Sequence, residues 1–270
     1  MNLRNISWFL KRHPFLYLTR FRLLSKNSTI GDIENHSYNK LNSKKDIPEI
    51  FYDINKKIFD QEKPHSHLEQ AKQISIWLFE NIKGGPGLSE SSAKALKRML
   101  DGKGGVCSDV AQIFNNFCVI NDIEVREWGI TRTPFNTNYG GHSFNEVYCN
   151  LLNKWVLLDS SCCIMFYGKT DTALSVIELY QLVRSHQYVV YKSFNNSIGI
   201  REKNIKKNYF NKDTTPFLIS NYSNKVYDKF LSYRNKYIPV FVVHFIIYFL
   251  GRSYYYNFPL DNYKNIFIKN

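Results

Sequence analysis

A chain of 270 residues with 44% apolar side chains can bury a sizeable core, and this is not the composition of a disordered or fibrous protein. The formal charge of +13 excludes an acidic chain and fits either a solvated basic surface or an anionic partner. No nucleic-acid motif accompanies the charge, so a phospholipid surface or an acidic glycan is the expected anionic partner, and nucleic acid is not.

Residues 1–31 carry Arg4, Lys11, Arg12, Arg20, Arg22 and Lys26 without a single acid. Residues 1–26 read as a basic amphipathic helix in which Trp8, Phe9, Phe15, Leu16, Phe21, Leu23 and Leu24 alternate irregularly with cations. Such a helix lies on anionic lipid or packs on the body of the protein through its apolar side. Residues 27–46 read as polar linker. The segment lacks the continuous apolar stretch and small-residue cleavage site of a secretory signal. The five cysteines (Cys107, Cys118, Cys149, Cys162 and Cys163) show neither a disulfide rhythm nor zinc spacing. A reducing, cytoplasmic setting with neither metal nor cofactor is the expectation, with peripheral contact at the inner membrane face.

From Pro48 onward the pattern becomes regular. Ile50, Ile54 and Ile58 predict a short helix. Leu68, Ala71, Ile74, Trp77, Leu78 and Ile82 predict a longer one, stopped at Gly84-Gly85-Pro86-Gly87. A third is expected from Ser91 to Met99. After the turn at Gly102-Lys103-Gly104-Gly105, the residues Val106, Val110, Ile113, Phe114 and Phe117 recur at helical spacing, which puts Cys107 in the first turn of a buried helix. Val125–Ile130, His142–Cys149 and Trp155–Asp159 read as strands, the last two as a hairpin around Asn150–Lys154. Ser175-Val176-Ile177-Glu178 reads as a capping box that opens another helix. Helices followed by a short antiparallel sheet predict an α+β domain over 47–192, with a basic, aromatic extension over 193–270. The apolar run from Ile238 to Leu250 is too short to span a bilayer and reads as core.

Within this frame three residues stand out. Cys107 follows a glycine turn and opens a helix, where free N–H groups and the helix dipole lower a thiol pKa and stabilise an oxyanion. His142 starts one strand of the hairpin and Asp159 ends the other, so they are opposite or diagonal neighbours. A thiol needs a base, and the base needs an acceptor that fixes its tautomer. Cys107, His142 and Asp159 are therefore the candidate nucleophile, base and orienting carboxylate. Cys118 and Cys149 lack such surroundings and read as packing residues. His65 and His67 read as surface residues, and Trp77 as core.

Gly-Val-Cys at a helix start, His-Ser-Phe-Asn-Glu-Val-Tyr on a strand and Trp-Val-Leu-Leu-Asp on the next resemble the transglutaminase-like superfamily, as does the helix around Ile74–Ile82. The resemblance covers roughly residues 65–190. It implies a papain-like α+β core, with the cysteine at a helix N-terminus packed on a small antiparallel sheet and Cys107, His142 and Asp159 as the catalytic triad. It implies acyl transfer or amide hydrolysis on a peptide, protein or glycan-linked substrate. In some bacterial members such proteins accompany surface-polysaccharide synthesis. Asp159 is followed by Ser160-Ser161 where Pro-Thr is commoner. Gly104-Gly105-Val106-Cys107 is also similar to the motif of arylamine N-acetyltransferases, which implies acyl-CoA as an alternative donor. A catalytically inactive binding module of the same fold is the alternative outside enzymes.

Overall fold

A computed structural model describes residues 14–87, 89–136, 139–195, 202–233 and 238–268. In chain order its helices are α1 (Pro14–Leu24), α2 (Ile30–Glu34), α3 (Glu49–Ile58), α4 (His67–Asn81), α5 (Ser92–Leu100), α6 (Cys107–Ile120), α7 (Val176–Arg184), α8 (Glu202–Tyr209), α9 (Asn224–Ser232) and α10 (Val240–Phe249). The strands are β1 (Ser25–Asn27), β2 (Val125–Arg132), β3 (His142–Cys149), β4 (Lys154–Asp159), β5 (Ile164–Tyr167), β6 (Val190–Ser193), β7 (Thr214–Ser220) and β8 (Tyr255–Phe258).

All eight strands form one sheet in the order β1-β8-β7-β2-β3-β4-β5-β6. Every pairing is antiparallel except β1 with β8 at one edge. The architecture is α+β, but the sheet is not the small one expected. It grows at one edge by β7, β8 and β1, and at the other by β5 and β6. Residues 27–46 are likewise more than linker. They carry α2 and two short 3-10 turns, and the buried Tyr38 donates to Asn224 at 2.6 Å. The composition shifts near 46 and 193 therefore do not separate independently packed layers, because one sheet runs through all three segments.

The helix facing the sheet centre follows from its spacing. Val110, Ile113, Phe114 and Phe117 of α6 all point inward, against Val125, Val147, Val156 and Leu158 of the sheet. Helices α3 and α4 close this layer through Phe51, Ile54, Ala71, Ile74 and Leu78. The alternate strand residues Trp128, Ile130, Phe144, Leu157 and Phe166 face the opposite side, where α7 and α8 cover them with Leu179, Tyr180, Ile205 and Tyr209. A third cluster joins the two chain ends: Phe21 and Leu24 of α1 pack with Phe217, Tyr227, Ile247, Tyr256 and Phe258. Helix α1 thus docks through its apolar side, while Trp8 and Phe9 of the expected amphipathic segment lie outside the described residues. Helix α10 buries Val240, Val243 and Ile247 and leaves Ile246 and Phe249 exposed, with Leu250 exposed just beyond its end. No helix among the described residues is long and apolar enough to cross a membrane.

Candidate active site

Cys107 is the first residue of α6, directly after the glycine loop. That loop is stapled by Arg98, which is buried on α5. Its Nε donates to the Gly104 carbonyl at 2.7 Å and its Nη2 to the Asp109 carboxylate at 3.0 Å. The same Asp109 oxygen accepts the Val106 N–H at 3.0 Å, so one carboxylate ties the loop to the first helical turn. Gly105 presses on buried Met99: a Cβ there would stand 2.4 Å from the Met99 sulfur, closer than any side chain tolerates. Among the described residues, neither the Cys107 nor the Ser108 backbone N–H has a hydrogen-bond partner, as expected for the open start of a helix.

His142 and Asp159 meet through the β3–β4 hairpin. Asn145 pairs with Leu158, so Asp159 falls opposite Phe144 and one diagonal step from His142. Gly141 sets the entry to β3. Its φ is +78°, and a Cβ would lie 2.9 Å from the Ile130 carbonyl, so no other residue fits without strain. His142 Nε2 stands 2.8 Å from Asp159 Oδ2, with the carboxylate wholly buried and the ring about one tenth exposed. Two further donors hold that carboxylate. The Tyr209 hydroxyl donates to Oδ2 at 2.7 Å and the Ser161 N–H donates to Oδ1 at 2.9 Å. The Ser-Ser that follows Asp159 has a role here: Ser160 Oγ bonds Ser75 Oγ at 3.0 Å and moors the end of the strand to α4.

With Nε2 turned to Asp159, the other ring nitrogen remains for Cys107, and His142 and the Ser143 N–H are the groups that favour its thiolate. Burial works against charge on every member of the trio, yet their mutual attraction wins. For Cys107, burial raises the pKa, but the His142 hydrogen bond and charge and the Ser143 N–H bring it below the usual thiol value. For His142, burial disfavours the cation, but Asp159 and Cys107 outweigh it and lift the pKa to about 10. Asp159 stays below the usual carboxylate range against its own burial, held by His142, Tyr209 and Ser161. The other cysteines differ in kind. Burial pushes Cys118 far up, and burial with Asp159 and Glu80 nearby pushes Cys163 up to about 12. Cys149 is buried within the α6 layer.

Cys107 and His142 line a cavity of about 200 Å³, room for a small acyl group rather than a bulky ligand. Gln112 and Glu127 belong to its wall. The Glu127 carboxyl accepts from Asn115 at 3.0 Å and from Gln112, and burial pushes its pKa up to about 8. Trp77 packs against the α6 layer and takes no part in the cavity. His65 is exposed and His67 half-buried at the start of α4. Among the described residues no group of three His, Cys, Asp or Glu side chains could hold a metal ion.

Sequence spacing missed Arg98, Tyr209, Glu127 and the cavity wall built by the chain ends. Arg98 and Tyr209 act across long stretches of chain, and no local pattern marks them.

Residues 53–160 match the transglutaminase-like superfamily, a span running from α3 through the end of β4 plus one residue. The chain carries a transglutaminase-like core. The match takes in Cys107, His142 and Asp159 and supports thiol-dependent catalysis in general. It stops short of β5 to β8 and of α1, which lie outside it on both sides. Among solved structures, a candidate cysteine protease from Cytophaga hutchinsonii is similar at 14% identity and a TM-score of 0.33. The similarity covers 56% of this chain and 53% of that one, about half the length of each, and is too slight to carry an argument. No curated protein matches the chain.

Proposed function

We propose that the protein is a thiol-dependent acyltransferase or amidase that works through a Cys107 acyl-enzyme. The observation that carries this reading is His142 on the cavity it shares with Cys107, its Nε2 2.8 Å from the fully buried Asp159 carboxylate. The Cys107 thiolate attacks the carbonyl carbon of an amide or thioester, and His142 holds the thiol proton. The oxyanion forms at the start of α6, where the Cys107 and Ser108 N–H groups are open. His142 gives its proton to the leaving amine or thiol as the C–N or C–S bond breaks, and leaves Cys107 acylated. Water or an amine then takes the acyl group, and His142 accepts the proton of that nucleophile.

The trial reaction is p-nitrophenyl acetate at neutral pH. Expected is a burst of p-nitrophenol equal to the enzyme, with an added acetyl mass on the peptide that contains Cys107. Cys107→Ala is expected to lose both. A slow linear release with acetyl groups spread over surface lysines would remove the acyl-enzyme reading.

The enzyme would work at a membrane surface. Exposed Phe249 and Leu250, at 80% and 56% exposure, lie beside the exposed Arg252 on a protein of charge +13. Apolar side chains flanked by cations suit an anionic interface. Co-sedimentation is expected to be severalfold greater with phosphatidylserine-containing vesicles than with phosphatidylcholine alone, and to fall in the double variant Phe249→Ser, Leu250→Ser. Equal sedimentation with both vesicle types would overturn the membrane assignment.

A further inference from the structure

Part of the wall of the cavity lined by Cys107 comes from the two chain ends, outside the span shared with the superfamily. Helix α1 supplies Tyr17 and Arg20, and the C-terminal segment supplies Tyr222, Tyr227, Tyr254 and Tyr256. Tyr222 and Tyr227 stack at 4.5 Å with their planes 12° apart, and the Tyr254 and Tyr256 hydroxyls lie 3.1 Å apart. The rings form a firm, largely apolar surface with phenolic donors along it.

Arg20 is the unusual member. The buried arginines of the chain are fully engaged. Arg98 holds the Gly104 carbonyl and Asp109; Arg126 holds the carbonyls of Ile33 and His36; Arg132 holds the Lys207 carbonyl and Thr214. Arg20 makes no ion pair or hydrogen bond among the described residues. Its guanidinium carbon stands 5.9 Å from the centre of the Tyr17 ring. A guanidinium is always charged, and its donors are arranged to take a carboxylate or phosphate two-handed. The acids that share the cavity do not answer it. Glu90 and Asp109 are both taken by Arg98. Glu127 is bonded to Asn115 and Gln112, and its burial keeps it largely protonated at neutral pH.

We infer that Arg20 and its tyrosines form a subsite for an anionic group, a carboxylate or phosphate carried by the acyl compound that Cys107 attacks. The inference rests on the Cys107 reading and adds a substrate class to it: acylated acids in preference to uncharged amides. It also explains why the two chain ends are folded into the same sheet as the core, since only there do they reach the cavity of Cys107.

The test uses the full wild-type chain and needs no natural substrate. Alkylation of Cys107 by iodoacetamide is followed by mass spectrometry in the presence of benzoate, phenyl phosphate or benzamide. The inference expects the anions to protect Cys107 about tenfold better than benzamide, the gain of one charge-assisted pairing. The benzoate and phenyl phosphate arms separate the carboxylate from the phosphate form of the subsite. In Arg20→Gln the benzoate-to-benzamide ratio is expected to fall toward one, and in Arg20→Lys to be largely kept. Equal protection by benzamide and both anions in the wild type would overturn the subsite, whether or not the variants fold. So would an unchanged ratio in folded Arg20→Gln. If Cys107 reacts no faster than the other cysteines, the nucleophile reading fails, and the subsite falls with it.

Discussion

Replacing His142 with alanine is expected to slow alkylation of Cys107 at pH 6.5 by between about tenfold and 100-fold. The upper figure is the limit for a wild-type thiol held wholly as thiolate, because a free thiol of pKa near 8.5 is roughly 1% ionised at that pH. The lower figure allows for the greater intrinsic nucleophilicity of a higher-pKa thiolate. Cys107 lies below its ordinary value, so the thiolate persists as pH falls. His142 is lifted to about 10, so the imidazolium persists as pH rises. The pair titrates as one unit, and between these limits its reactivity should be nearly flat with pH. In the variant the favourable imidazolium is gone. Burial and the Asp159 charge both oppose a thiolate, and the rate should climb steeply through neutral pH. Cys118 and Cys163, both pushed up by burial, serve as internal references in the same digest. Superimposable pH profiles for wild type and His142→Ala would show that the imidazole does not set the state of the thiol.

The same charges bear on stability. A histidine raised in the fold contributes stability that is full below about 6.5, its unfolded value, and is lost as pH rises through about 10. A carboxylate lowered in the fold contributes stability present above its unfolded value and lost as pH falls through the folded one. His142 and Asp159 therefore support the fold best in mildly acidic to neutral solution.

How much of this was legible in the sequence follows the range of the interactions. The helix behind Cys107 is announced by Val110, Ile113, Phe114 and Phe117, because one apolar stripe must face the sheet. The hairpin is announced by two apolar runs with a polar turn between, and hairpin geometry alone brings the first residue of one strand near the last of the other. The edges of the sheet carry no such signal. Strand β1 is three polar residues, Ser25-Lys26-Asn27, paired in parallel with a segment more than 200 positions away. Strand β7 contains Pro216, which argues against a central strand, yet it sits between β2 and β8. Tyr209 comes from a helix whose sequence, Glu-Lys-Asn-Ile-Lys-Lys-Asn-Tyr, is mostly solvated polar surface. Only the completed layer of α8 on the sheet turns its hydroxyl to Asp159. In the sequence Arg20 is one cation in a basic helix, and its place in the cavity exists only once both chain ends have docked.

Asparagine at position 159 should be more damaging than alanine, although asparagine is the closer mimic of aspartate. The reason lies in which groups around the carboxylate can turn. Oδ1 receives the Ser161 backbone N–H, a fixed donor. An asparagine must set its carbonyl oxygen there, because an NH2 group facing an N–H would leave two buried donors opposed. Its NH2 then faces His142 and Tyr209. The Tyr209 hydroxyl can rotate and accept, so the packing survives. His142 Nε2 can only accept, which places the ring proton on the other nitrogen, the one beside Cys107. A protonated nitrogen cannot take the thiol proton, and the neutral trio is locked in the wrong tautomer. A loss of about 10³ to 10⁴ in the rate of acyl-enzyme formation is expected for Asp159→Asn, the scale on which a misplaced tautomer disables such relays. Asp159→Ala removes the acceptor but imposes no tautomer, and a smaller loss is expected, about 10- to 100-fold. Tyr209→Phe removes one donor and leaves the His142 pairing, so its loss should be smaller again. Burst rates with p-nitrophenyl acetate order the three variants, and circular dichroism confirms that each is folded. Asp159→Asn retaining activity within a few-fold of wild type, or proving milder than Asp159→Ala, would mean that Asp159 holds the hairpin together without governing the proton on His142.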